Sequence, residues 1–163
     1  MTGKNFHGDT ALHLAAGAGQ LETTAILINK AKGHGEADDF RYISEMKNDR
    51  GNTALHEAVI NRHHSTVARF LVSECSELCY TENNDHESAL YHAAENNDEK
   101  MLSMLMRAIP NDVDLLEKLK GKSPVHNAVQ GRKKGRMASP SYIFPCNMPV
   151  FLSLFDLLFI NLF

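Results

Sequence analysis

Several things are scarce in this chain of 163 residues, and each absence narrows what it can be. A strong charge of either sign is lacking: the net charge is -3, so no overall electrostatic pull directs it to nucleic acid or anionic lipid. Paired cysteines are lacking too. Three Cys make an odd count with no framework of spacings, which argues for a reducing compartment and against a disulfide scaffold. The first 28 residues hold no basic stretch followed by an apolar one, so no secretory signal is read and the cytosol or nucleus is the expected location. No glycine-rich phosphate loop, nucleophile motif or His-Glu-x-x-His pair appears, so neither an enzyme nor a cofactor is expected. With 43% hydrophobic and 23% charged residues the composition is that of an ordinary folded domain.

What the chain has is repetition. Gly51-Asn52-Thr53-Ala54-Leu55-His56-Glu57-Ala58-Val59 is restated as GDTALHLAA from Gly8, HESALYHAA from His86 and GKSPVHNAV from Gly121. The hydroxyl residues Thr10, Thr53, Ser88 and Ser123 recur at steps of 43, 35 and 35. A unit of that length cannot bury its apolar face alone, so neighbours must stack before any one is stable. Thr or Ser suits a helix N-cap, and the Gly two positions earlier permits a positive φ in the turn. Leu12, Leu55, Leu90 and Val125 follow two residues on, and Ala15, Ala58, Ala93 and Ala128 three beyond those, which places small apolar residues on one helical stripe. The first step is longer because 33–39 is a polar, Gly-flanked insertion, after which Phe40, Tyr42, Ile43 and Met46 form an amphipathic patch expected to fold back as a short helix.

These residues resemble the ankyrin repeat, whose signature Thr-Pro-Leu-His-x-Ala-Ala is matched from Thr10 through Ile28 with Ala11 for the usual Pro. The resemblance implies an all-α solenoid of stacked helix pairs with hairpin-like turns, about three and a half repeats long. The array is expected over 1–130, with repeats near 5–47, 48–82 and 83–117 and a partial one at 118–130. Second helices are expected from Gln20 to Ala31, with Leu21, Thr24, Leu27 and Ile28 facing inward, and from His63 to Ser73. The long joints at Glu74–Tyr80 and Ile109–Leu116, together with Tyr91 where the signature His should stand, are similar to plant ankyrin proteins of the accelerated-cell-death and salt-tolerance type. In those a cytosolic array precedes a membrane domain.

The family resemblance also assigns roles. Thr10, His13, Thr53, His56, Ser88, Ser123 and His126 are structural, each His bonding the hydroxyl of its own repeat and the backbone of the next turn. The partner surface is the concave face, carried over to His7, Asp9, Asp49, Arg50, Asn52, Ile60, Asn61, Asn84, Asp85, Glu87, Glu95, Asn96, Lys120 and Lys122, with Arg50 and Ile60 as its leading residues. Phe6, Gly17, Ala18, Leu119, Gln130 and Gly131 fall on the same positions. Cys75 and Cys79, four apart, would share a helical face near His63 and His64, but structural zinc sites use tighter Cys spacing, so no metal is expected.

After Gln130 the second helix of repeat four is replaced by Gly131-Arg132-Lys133-Lys134-Gly135-Arg136. A basic, then Pro-containing linker (131–149) leads to an apolar tail (150–163), whose 14 residues fall short of the about 20 that span a bilayer and include Asp156 and Asn161. The function expected is a monomeric protein–protein interaction module in signalling or stress and defence, without nucleic acid. The alternatives are a fragment attached to a membrane on its cytosolic side through the tail, and a truncated product with no function of its own.

Overall fold

A computed structural model of the protein describes residues 3–33, 37–61, 65–96 and 98–110. The proposed half repeat at 118–130, the linker and the tail lie outside the described residues, as do His63, His64, Leu119, Lys120, Lys122, Ser123, His126, Gln130 and Gly131. Among the described residues three helix pairs follow one another. The first is α1 (Ala11–Gly17) with α2 (Leu21–Lys32), and a further helix, α3 (Ala37–Glu45), follows it. The second is α4 (Ala54–Ile60) with α5 (Ser65–Glu74), closed by a 3-10 turn at Ser76–Cys79. The third is α6 (Ala89–Glu95) with α7 (Glu99–Ala108). Short helices α1, α4 and α6 pack in one row, while α2, α5 and α7 form the row behind. No helix among the described residues is long and apolar enough to cross a membrane.

The rows form because each repeat spends its small residues on its neighbour. Ala54, Ala58, Ala89 and Ala93 are buried, so the first helices come close enough for Leu55 and Leu90 to be enclosed as well. From the rear row Ile28, Val67, Leu71, Met101, Leu102 and Leu105 join the same core. Ala11, which holds the place of Ala54 and Ala89, is exposed because no described helix precedes it.

Several expectations need correction. Helix α2 starts and stops one residue later than expected, and Leu21 is 40% exposed, since the buried stripe of α2 is Thr24, Ile28 and Ala31. Leu27 and Phe70 are only half-buried. The insertion becomes helical by Ala37, and α3 lies against α2. The joint at Glu74–Tyr80 is a 3-10 turn, so the two thiols do not share an α-helical face: Cys79 is buried and Cys75 half-buried.

The turns before α1, α4 and α6 set the geometry of the exposed edge. Each has one residue at positive φ: Gly8 (73°), Gly51 (77°) and His86 (59°). A β-carbon at Gly8 would sit 2.7 Å from the backbone nitrogen of Asp49 in the next turn, so close stacking needs glycine there. His86 bears the left-handed strain that a β-carbon brings, partly offset by contact with Glu82 at 3.3 Å. The substitution His86→Gly is expected to raise unfolding stability by about 0.5–1 kcal/mol, less than the full strain because glycine also frees the unfolded chain. Urea denaturation of the two chains measures it, and an unchanged or lowered midpoint would rule out the strain.

Candidate partner-binding face

The imidazoles tie each repeat to the next. Thr10 caps α1, and its N–H donates to Nδ1 of His13 at 3.2 Å. Because Nδ1 accepts, the Thr10 hydroxyl 2.8 Å away donates to it as well, and the ring proton must be on Nε2. That Nε2–H donates across the repeat boundary to the carbonyl of Asn52 at 2.8 Å. The second repeat does the same: Thr53 N–H to His56 Nδ1 at 3.1 Å, then His56 Nε2 to the carbonyl of Glu87 at 3.1 Å. His13 and His56 are thus interior struts. Burial pushes the His56 imidazole down to a pKa of about 3, against the smaller opposing pull of the Glu87 carbonyl. In the third repeat Tyr91 stands at this position, and Ser88 Oγ accepts from the Tyr91 backbone N–H at 3.2 Å.

Sequence reasoning missed the residue that builds the turns. Asn5, Asn48 and Asn83 each stand five positions before the hydroxyl residue. Asn48 Oδ1 accepts from the N–H groups of Arg50 (3.1 Å) and Asn52 (2.9 Å), and Asn5 and Asn83 hold their own turns the same way. The side chain so replaces backbone partners that an irregular loop lacks. Successive turns are then laddered: Asp49 N–H donates to the His7 carbonyl and Asn84 N–H to the Arg50 carbonyl, both at 3.1 Å. Lys4 and Lys47 reach over to the carbonyls of Lys47 and Glu82, which uses those cations internally. The threefold recurrence of Asn was visible in the sequence.

On this scaffold the expected contact residues separate. His7, Asp49, Arg50, Asn61, Asn84, Asp85 and Glu95 are exposed, as are Phe6 and Ala18, while Asp9, Gly17, Ile60, Glu87 and Asn96 are half-buried. Asn52, expected on the surface, is only 2% exposed: its Nδ2 donates to Glu57 at 2.9 Å and its Oδ1 accepts from Asn83 at 2.9 Å. It is a strut between turns, held by Glu57 on one side and Asn83 on the other. Asn96 likewise spends its amide on the Val59 carbonyl at 3.2 Å. His7, Asp9, Asn48, Asp49, Arg50 and Glu57 line a cleft of about 260 Å³ between the first two turns. Glu57 is a wall residue that sequence reasoning did not single out, fixed by amides of Asn48 (3.0 Å) and Asn52.

Elsewhere Glu45, Cys75 and Glu77 bring ligand-type atoms together. Arg41 already pairs with Glu45 at 2.9 Å and with Glu77, which supplies the cation this cluster calls for. Burial raises the Cys75 thiol and pushes Cys79 up to about 12, away from the thiolate that binds metals or attacks substrates.

Residues 2–80 match the family model of ankyrin repeats (3 copies). No curated protein matches the chain. Solved structures do, and one is the ankyrin repeat domain of Bcl-3, described as a unique member of the IkappaB protein family. It is 27% identical with a TM-score of 0.62, covering 77% of this chain and 52% of that one. The chain thus spans about half the length of that structure.

Proposed function

Since the described residues fold as an ankyrin-repeat array, we propose that the protein binds a protein partner through its concave face, from the cytoplasm and as a monomer. The observation that carries this is the division of labour along the turns. Backbone groups and the Asn side chains, Asn84 among them, are consumed in holding the ladder, whereas the side chains of His7, Asp49, Arg50 and Asp85 project from it exposed. A rigid backbone with spare side chains costs little ordering entropy on association, which is what a recognition surface requires. A place in signalling or in stress and defence rests on the resemblance carried by Tyr91 and the long joints.

Arg50 and Ile60 remain the leading contacts, one an exposed guanidinium beside the cleft, the other a half-buried apolar group at the end of α4. Interface energy concentrates in few residues, with Arg favoured among them. Replacing both by Ala is expected to weaken a partner captured by the immobilised chain by more than tenfold (about 1.4 kcal/mol or more) with little change in the thermal midpoint. Unchanged affinity in a folded double variant would remove the concave-face assignment.

A further inference from the structure

The cleft between the first two turns carries more negative charge than the fold requires. Its lining sets the carboxylates of Asp9, Asp49 and Glu57 against the single guanidinium of Arg50, a net charge of -2 with His7 counted neutral. Among the described residues none of these four groups takes part in an ion pair, and Lys4 and Lys47 of the same turns donate to backbone carbonyls instead. Neutral amides hold two of the carboxylates. Asn48 Nδ2 donates to Asp9 Oδ1 at 2.8 Å and to Glu57 Oε1 at 3.0 Å, and because Asn48 is only 8% exposed the cleft is built on a fixed amide shared by both. Glu57 Oε2 and the Asp49 side-chain oxygens accept no hydrogen bond from a described residue.

The next pair of turns shows that this charge is not structural. There Asn83 Nδ2 donates to Asn52 Oδ1 at 2.9 Å, the same bond with an amide oxygen in place of the Asp9 carboxylate. His92 stands where Glu57 does, four places after its hydroxyl residue. The stack therefore closes without either carboxylate, and at the first cleft they form an unneutralised field that attracts a cation. Geometry selects its kind. A calcium ion gathers about six to eight oxygens at ~2.3–2.6 Å, but the oxygens of Asp9, Asp49 and Glu57 do not all come within 4.8 Å of one another. A guanidinium is planar with several N–H donors in a rigid fork, so it reaches acceptors set too far apart for one ion. The cleft volume of about 260 Å³ lies below the roughly 300–1,000 Å³ of small-molecule sites, which suits one side chain. We propose that this cleft receives an arginine side chain of the protein partner, its guanidinium donating to Glu57 Oε2 and to the carboxylates of Asp9 and Asp49.

The role of this cleft in recognition rests on the concave-face reading, but its occupancy can be measured without a partner. The full chain is titrated at pH 7 with N-acetyl-arginine amide and with its citrulline analogue, which has the same shape and no charge, and followed by proton–nitrogen NMR. The expected result is a saturable shift of the Asn48 and Asn52 side-chain amides and of the Asp49 and Arg50 N–H groups with the arginine probe, and binding weaker by about fivefold or more with citrulline. Asp9→Asn and Glu57→Gln are each expected to weaken the arginine probe by about fivefold or more. Both should fold: the first reproduces the residue that the second repeat carries as Asn52, and the second keeps an oxygen for the amides of Asn48 and Asn52. Glu22→Gln, exposed on α2, should change nothing. Absence of a saturable shift at the cleft, an equal response to citrulline, or binding that survives both substitutions in a folded chain would overturn the site. Calcium chloride moving the same signals at lower concentration would overturn it in favour of a metal. A captured partner that is released by the Arg50 and Ile60 double variant but held by Asp9→Asn and Glu57→Gln would leave the concave face standing and remove the arginine from it.

Discussion

Below about pH 6.5 the array is expected to lose stability through His56, at about 1.4 kcal/mol for each pH unit. The sign follows from where the proton goes. In the unfolded chain this imidazole takes a proton near its ordinary value of 6.5, whereas in the folded chain it does so only near 3. Between those values the unfolded state binds more protons, so acid favours unfolding, and the contribution of the neutral strut is complete only above about 6.5. Carried across the whole window the loss would be about 5 kcal/mol, comparable with the total stability of a small domain. Urea denaturation at steps between pH 7 and pH 4 measures the slope. His56→Asn removes this titration, so its profile should be flatter than the parent's by close to one proton. Parallel profiles would mean that the buried imidazole is not the acid-labile group. The difference between parent and variant isolates the His56 share.

The array was legible because its signals are local and repeated. Thr10, His13, Thr53 and His56 recur in the same order, and in the structure each threonine caps its helix while each imidazole bonds the next turn. Small residues at Ala54, Ala58, Ala89 and Ala93 announced close helix packing in the same way. What could not be read was the direction of side chains in irregular backbone. Asn52 looks like any polar turn residue in a sequence, yet the neighbouring turn covers it and Glu57 claims its amide. His92 is read past in the same way: Tyr91 holds the signature position, and the ring one place on meets carboxylates from a turn and from the end of the helix. The mid-chain insertion misled for a related reason. Its Gly and acidic residues read as loop through 39, but helix α3 begins three residues before the expected short helix at Phe40, and it packs against α2.

Gly51→Ala is expected to cost about 3 kcal/mol, more than its single methyl group suggests. Two independent penalties add. The first is conformational, since φ at this position is 77° and an L side chain there pays roughly 1–2 kcal/mol. The second is steric: the new β-carbon would lie 2.5 Å from the Asn84 nitrogen and 2.4 Å from Asn84 Oδ1. The Asn84 side chain can swing aside, but its nitrogen belongs to the backbone, so the turn itself must move. That movement stretches the bond from Asn84 N–H to the Arg50 carbonyl and the one from Asn84 Nδ2 to the Asp49 carbonyl at 2.9 Å. Losing net hydrogen bonds of about 1 kcal/mol each brings the sum to the stated range. Thermal and urea unfolding of the variant measure the total. Hydrogen exchange separates the parts, because loss of the ladder should speed exchange at Asn84 N–H, whereas strain confined to residue 51 would leave that amide protected. A loss below about 1 kcal/mol, with Asn84 still protected, would mean that adjacent turns are not stacked as tightly as Gly8 and Gly51 imply.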